Sequence, residues 1–214
     1  MRRGVHIEWF RTGGDVGNEG EIILVWSDTR NGIRDIFAQK LDSNGNALWA
    51  DGGVEVVTED GRQEDPILIS DDNGGAYIIW ADYKDEPSYG DIYIQHLNSD
   101  GTLSFDSTGL ALATDEGVQD AAIVRPDGSG GAFAVWSDKR SGGSIGIYIQ
   151  HLTPELGTNL ADGGYEVYFG IDGNIYYPSS IYLGEDNGNA VVWSDHRLGN
   201  GAVYGTIADR NIID

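Results

Sequence analysis

The chain has no cysteine and one methionine among its 214 residues. That excludes disulfides, thiolate nucleophiles and zinc–thiolate centres. It does not assign a compartment, because large secreted domains can fold without disulfides. Basic residues are scarce, 13 against 35 acidic ones, for a formal net charge of −22. Nucleic acid and anionic membrane surfaces need a basic face on their partner, so both are excluded as partners. An excess of carboxylate suits solubility, cations or a basic partner. Long apolar runs are missing too. The longest, at 22–26 and 132–136, fall far below the ~18 residues that span a bilayer, so no membrane insertion is expected. Met1-Arg2-Arg3-Gly4 is basic, but no apolar segment follows it, so it does not read as a signal peptide.

Glycine and aromatics are abundant: 32 Gly, 11 Tyr and 6 Trp. Their order is repetitive. Ile23-Leu24-Val25-Trp26-Ser27-Asp28-Thr29-Arg30 returns as Tyr77-Ile78-Ile79-Trp80-Ala81-Asp82-Tyr83-Lys84. It returns again as Phe133-Ala134-Val135-Trp136-Ser137-Asp138-Lys139-Arg140 and as Ala190-Val191-Val192-Trp193-Ser194-Asp195-His196-Arg197. The tryptophans recur every 54–57 residues. A second block follows each: Asp35-Ile36-Phe37-Ala38-Gln39, Asp91-Ile92-Tyr93-Ile94-Gln95, Gly146-Ile147-Tyr148-Ile149-Gln150 and a weaker Ala202-Val203-Tyr204-Gly205-Thr206. Two blocks keeping one spacing four times are not a product of chance.

Each repeat reads as four strands. Strand A is the apolar run at 67–69, 121–124 or 180–183, and at 5–10 in the first repeat, where a longer glycine-rich turn over 13–20 would follow. An Asp/Asn/Gly turn closes a hairpin. Strand B ends at the tryptophan and is apolar on both faces, as a strand covered on both sides should be. Strand C is the Ile-Tyr-x-Gln block, and strand D is short: Val54–Val57, Leu110–Ala113 and 166–169. In strand C, Ile36/Ala38 and their equivalents read as the inter-blade face, and the glutamine is expected to bond backbone of a loop or the next blade. Four-stranded antiparallel units of this length, repeated, predict an all-β fold: a β-propeller, or part of one, of about four blades with the last incomplete. A β-solenoid is the runner-up, and a β-sandwich follows. We expect a single propeller-like domain over 1–214, with repeats at 5–58, 59–114, 115–170 and 171–214. The fourth repeat lacks an ordinary strand D. The ring is therefore expected to close imperfectly, to be part of a larger one, or to self-associate through open blade edges.

The motif set Trp-x-Asp-x-Arg, Asp-Ile-Tyr-x-Gln and Gly-x-x-x-Trp (Gly45-Asn46-Ala47-Leu48-Trp49) resembles repeats in uncharacterised bacterial secreted and surface proteins of propeller type. The resemblance covers nearly the whole chain. It implies a propeller-like fold and a secreted or cell-surface location, and no reaction. The Asp-box of sialidase-type propellers matches only at Ser70-x-Asp72-x-Gly74, since Trp80 comes too late.

Repetition separates scaffold from site. Residues present in every repeat read as structural: Trp26/Asp28/Arg30, Trp80/Asp82, Trp136/Asp138/Arg140 and Trp193/Asp195/Arg197, with Gln39, Gln95 and Gln150. Their expected task is a charge-assisted bond pinning the B–C loop. A carboxylate ring around a central channel is the functional alternative. His96 and His151 occupy equivalent strand-C positions and are expected at the surface or a blade edge. No transition-metal motif, Gly-x-Ser-x-Gly or P-loop occurs. The Asp/Asn turns are only faintly calcium-like, so the expected cofactor is none, with calcium possible. The B–C and D–A loops should share one face, rich in carboxylates such as Glu59, Asp60, Glu64 and Asp65. Ligand-binding candidates on it are Tyr83, Asp85, Glu86, Tyr89, Tyr176 and Tyr177. The weak catalytic candidates are Asp85, Glu86 and Asp120. The leading expectation is a surface binding or assembly module without catalysis, recognising a glycan, peptide or protein. The alternatives are a glycoside hydrolase or lyase using paired carboxylates, and a structural subunit assembling edge to edge.

Overall fold

The computed structural model describes residues 14–16, 20–84, 90–140, 144–169, 175–183, 189–196 and 201–208. They form four antiparallel sheets. The first is β1 (Gly14–Val16), β2 (Ile22–Asp28), β3 (Asp35–Leu41) and β4 (Val54–Val57). The second is β5 (Gln63–Ser70), β6 (Ala76–Asp82), β7 (Asp91–Leu97) and β8 (Leu110–Ala113). The third is β9 (Gln119–Pro126), β10 (Ala132–Asp138), β11 (Gly146–Leu152) and β12 (Tyr165–Phe169). The fourth has three strands, β13 (Ile175–Tyr182), β14 (Asn189–Asp195) and β15 (Ala202–Ala208). Each sheet is an up-and-down meander in sequence order. The leading strands β1, β5, β9 and β13 pack against one another in succession, so they are the inner strands. The chain is an all-β partial propeller.

The core lies between blades. Ile23, Val25, Ile36, Ala38 and Val56 of the first sheet pack on Leu68, Ile78, Trp80, Tyr93 and Leu97 of the second. The opposite face of that second sheet, with Tyr77, Ile79, Ile92 and Ile94, packs on Val124, Ala134, Trp136 and Tyr148 of the third. Neighbouring residues of one strand thus serve two interfaces, which is why strand B is apolar on both faces. The same holds for strand C: Ile92 and Ile94 face one neighbour, but Tyr93 and Leu97 face the other, so inter-blade packing is not confined to the Ile/Ala set.

Where sequence and structure differ, the repeat register explains it. The expected strand at 5–10 lies outside the described residues. The described first strand, β1, falls inside the stretch expected to be a turn and pairs Gly14 with Leu24. In the other sheets the inner strand also ends a few residues before the second strand begins. The remaining inner strands extend earlier than their apolar runs because each carries a bulge, between Glu64 and Ile67, opposite 135–137, and between Tyr176 and Ser179. Pro66 and Pro178 sit in two of these bulges, where no ladder N–H is required. Period-2 reading fails across them.

The repeated glutamines bond within their own repeat. Gln39 donates to the Ala50 carbonyl and accepts from the Lys40 and Trp49 N–H groups; Gln95 and Gln150 do the same. His96 is not at the surface. It is buried, with Nε2 2.9 Å from Asp71 Oδ2 and Nδ1 2.8 Å from Ser104 Oγ. His151 bridges Asp127 (2.8 Å) and Asn159 (3.1 Å) in the same way. Each histidine ties the A–B turn to the C–D connection. An asparagine standing where Ser104 does marks the serine–histidine–aspartate chain as structural.

One of these ties should govern acid stability. Burial pushes the Asp127 carboxyl up, but His151 and the N–H groups of Ser129 and Gly131 outweigh it and hold it at about 2. A folded-state value below the unfolded ~3.9 stabilises the protein above that pH, and the gain is lost as pH falls towards 2. Asp127→Asn should therefore cost about 2 kcal/mol at neutral pH, with the difference from the parent closing near pH 2. Denaturant titrations at several pH values check this; a pH-independent difference contradicts it.

Candidate functional site

The repeated Trp-x-Asp-x-Arg residues form one constellation per blade. In the third blade, Trp136 Nε1 donates to Asp138 Oδ2 (3.1 Å). Arg140 donates its backbone N–H and its guanidinium to the same carboxylate, and also donates to the Gly163 carbonyl. The guanidinium lies 4.1 Å from the Tyr148 ring centroid, and that ring stacks on Trp136. The first blade repeats this with Trp26, Asp28, Arg30, Phe37 and Gly52. The Trp-x-Asp-x-Arg side chains thus clamp the B–C turn to the end of the C–D connection. In the second blade Lys84 replaces arginine. It reaches over Tyr93 (4.4 Å) and gives Asp82 its backbone N–H, but has no planar fork. Burial accordingly raises the Asp82 carboxyl, whereas Asp28, despite burial, is held low by Arg30 and Trp26. In the fourth blade Trp193 and Asp195 are buried, and Arg197 lies outside the described residues.

The B–C and D–A loops meet at one end of the sheets. Tyr83 N–H donates to the Arg62 carbonyl, Lys139 N–H to Val118, Gln63 N–H to Arg34 and Gln119 N–H to Gly90. The last two bonds join one blade's inner strand to the previous blade's B–C loop. At this end Gln63, Gln119 and Ile175 are equivalent, being paired with Asp82, Asp138 and Asp195. The next positions, Glu64, Asp120 and Tyr176, are therefore also equivalent: the same step of three successive inner strands.

Tyr83 is the common neighbour. It is half-buried, with the Arg62 guanidinium 4.1 Å from its ring centroid. Burial raises its phenol, and the negative charges of Asp120, Glu64 and Asp65 raise it further against the opposing pull of Arg62. Tyr83 is thus a neutral hydroxyl within electrostatic reach of carboxylates from two blades. Glu64 accepts from Arg34 and is paired with Arg62 (3.3 Å). Asp120 is exposed, and its main-chain carbonyl accepts from Ser137 Oγ (2.9 Å). Asp65 has φ of 52°, set by the bulge.

Of the residues singled out from sequence, the structure places Tyr83 and Asp120 at the same end of the sheets, within electrostatic reach of each other. Asp85, Glu86 and Tyr89 lie outside the described residues, as do the side chains of Tyr176 and Tyr177, whose backbones belong to β13. Sequence reasoning did not nominate Glu64, Arg62 or Arg34. The signal was there: Gln63-Glu64 and Gln119-Asp120 are one motif at one repeat position. Among the described residues no group of three or more His, Cys, Asp or Glu side chains could hold a metal ion. In one of the Asp/Asn turns, the Asp42 carboxylate accepts from Asn44 and Asn46.

No family model and no curated protein sequence matches this chain. Among solved structures, an α-L-arabinanase from Penicillium chrysogenum complexed with arabinobiose matches with a TM-score of 0.52 at 15% identity, over 91% of this chain and 61% of that one. A thermostable family-43 glycoside hydrolase matches with a TM-score of 0.50 at 15% identity, over 92% and 70%. An α-L-arabinofuranosidase from Lactobacillus brevis matches with a TM-score of 0.50 at 12% identity, over 92% and 71%. This chain thus spans 61–71% of these neighbours' lengths. At these identities the likeness establishes the fold. The leading expectation of a binding or assembly module without catalysis is corrected: propellers of glycan-cleaving enzymes share this fold, which favours the carbohydrate-active alternative.

Proposed function

We propose that this chain is a glycoside hydrolase of propeller fold, acting on an arabinose-containing glycan at the end where the inner strands begin. The observation that carries the reading is that Glu64 and Asp120 stand at the same step of successive inner strands, at the end where the B–C and D–A loops meet, both within electrostatic reach of the Tyr83 phenol. Cleavage of a glycosidic bond needs two carboxyl groups: one gives a proton to the leaving oxygen, the other activates water or attacks the anomeric carbon. Asp120, exposed, is assigned to proton transfer. Glu64, steered by Arg34 and Arg62, is the second carboxylate. The Tyr83 hydroxyl donates to a sugar oxygen, and its ring, with Arg62 above it, fixes that hydroxyl in place. The neighbours' activities support the substrate class.

The full chain, incubated with arabino-oligosaccharides, should release reducing sugar. Asp120→Asn and Glu64→Gln should each lower the rate by about 10²–10⁴-fold; Asp120→Asn should keep thermal stability within the ~0.5 kcal/mol typical of surface changes, and Glu64→Gln should cost no more than about 1 kcal/mol through its pairs with Arg34 and Arg62. A chain that neither hydrolyses these glycans nor binds arabinobiose by calorimetry overturns the reading, as do variants that keep full activity.

A further inference from the structure

The fourth blade repeats an interface that nothing in the chain's described residues completes. Three times, the face of one blade bearing the residue before the tryptophan is covered by the tryptophan face of the next. Val25, Ile79 and Val135 occupy that covered face in blades one to three, as do Ile36, Ile92 and Ile147, and all six are at most 1% exposed. Their equivalents by register in blade four are Val192 and Val203, exposed at 39% and 78%. Ile181 (62%) and Ile207 (54%) flank them on the same face. At the other end, the tryptophan face of blade one is partly open. Ile22 is 39% exposed where its equivalents Ala76 and Ala132 are fully buried, and Trp26 is half-buried where Trp80 and Trp136 are buried. The two open faces are the two halves of one more inter-blade contact.

We infer that the face of Val192, Val203 and Ile207 is an interaction surface for a second copy of this chain, which docks the tryptophan face of its first blade there. The contact is face to face and heterologous, continuing the series of interfaces inside the chain, and is independent of the catalytic reading above. Apolar area of this kind is removed from water by association. Each copy carries a net charge of −22, so repulsion opposes the contact and salt relieves it.

Sedimentation of the full chain up to about 1 mM should show self-association that strengthens with added salt. Val203→Glu, at a site too exposed to disturb the fold, should weaken it about tenfold or more. Ile33→Glu, on the first B–C turn, should leave it unchanged. The absence of cysteine allows a direct geometric reading. Ile22→Cys and Ile207→Cys, which the register places at the same end of the contact, mixed as separate chains, should be joined by a short bis-maleimide, and neither alone should be. A chain monomeric under all conditions overturns the inference. So does Ile207→Cys linking to itself, or a chain carrying both substitutions linking only within one molecule.

Discussion

Replacing Trp80 by alanine is expected to cost about 3–5 kcal/mol, among the largest effects of any single change here. The indole is 1% exposed and belongs to the cluster joining the first and second blades. It stacks on Tyr93, with ring centroids 6.0 Å apart. Its far edge lies against Gly109, whose φ of 77° and absent Cβ allow the approach; Gly53 and Gly164 serve Trp26 and Trp136 in the same way. Alanine leaves a cavity that cannot collapse, because the walls are two sheets fixed by their ladders. The melting temperature should fall by about 10 °C for a chain of this size. Leu48→Ala, at a position 47% exposed, should stay within about 0.5 kcal/mol. Equal effects at the two positions would show that the tryptophan is not packed as described.

Asp138→Ala is expected to cost about 3 kcal/mol. The carboxylate is fully buried and accepts from Trp136 Nε1, from the backbone N–H and guanidinium of Arg140, and from Gln119 Nε2 (3.3 Å). Removing it strands those donors in a site where water has little room. Arg140 keeps its bonds to the Gly163 carbonyl and Asp115, which limits the loss. Asp28→Ala should cost less, because its partner Arg30 is 33% exposed by side chain and water can replace the carboxylate there. Denaturant unfolding of both variants checks the order. If Asp28 proves the costlier, the role given to burial is wrong.

The propeller was legible because its determinants are local and repeated. Turn residues, alternation and the Trp-x-Asp-x-Arg spacing recur, and an apolar strand B demands cover on both faces whichever neighbour supplies it. The residues of the proposed site were legible only in part. Asp120 and Tyr83 could be named from an irregular loop and an acidic strand start. Glu64, Arg62 and Arg34 could not, because what makes them a site is the bulge at 64–67 and the meeting of two blades' loops around one phenol. The burial of His96 was hidden likewise: its partners Asp71 and Ser104 lie 25 and 8 residues away, and only the folded-back sheet brings them to one ring. Sequence by itself settled the second, third and fourth strands of the repeats and the order in which they recur, though not the bounds of the bulged inner strands, since hydrogen-bond ladders and φ preferences act over neighbouring residues. Only the tertiary structure decided which blade face is covered and which carboxylates share a neighbour, since those depend on distances between segments tens of residues apart.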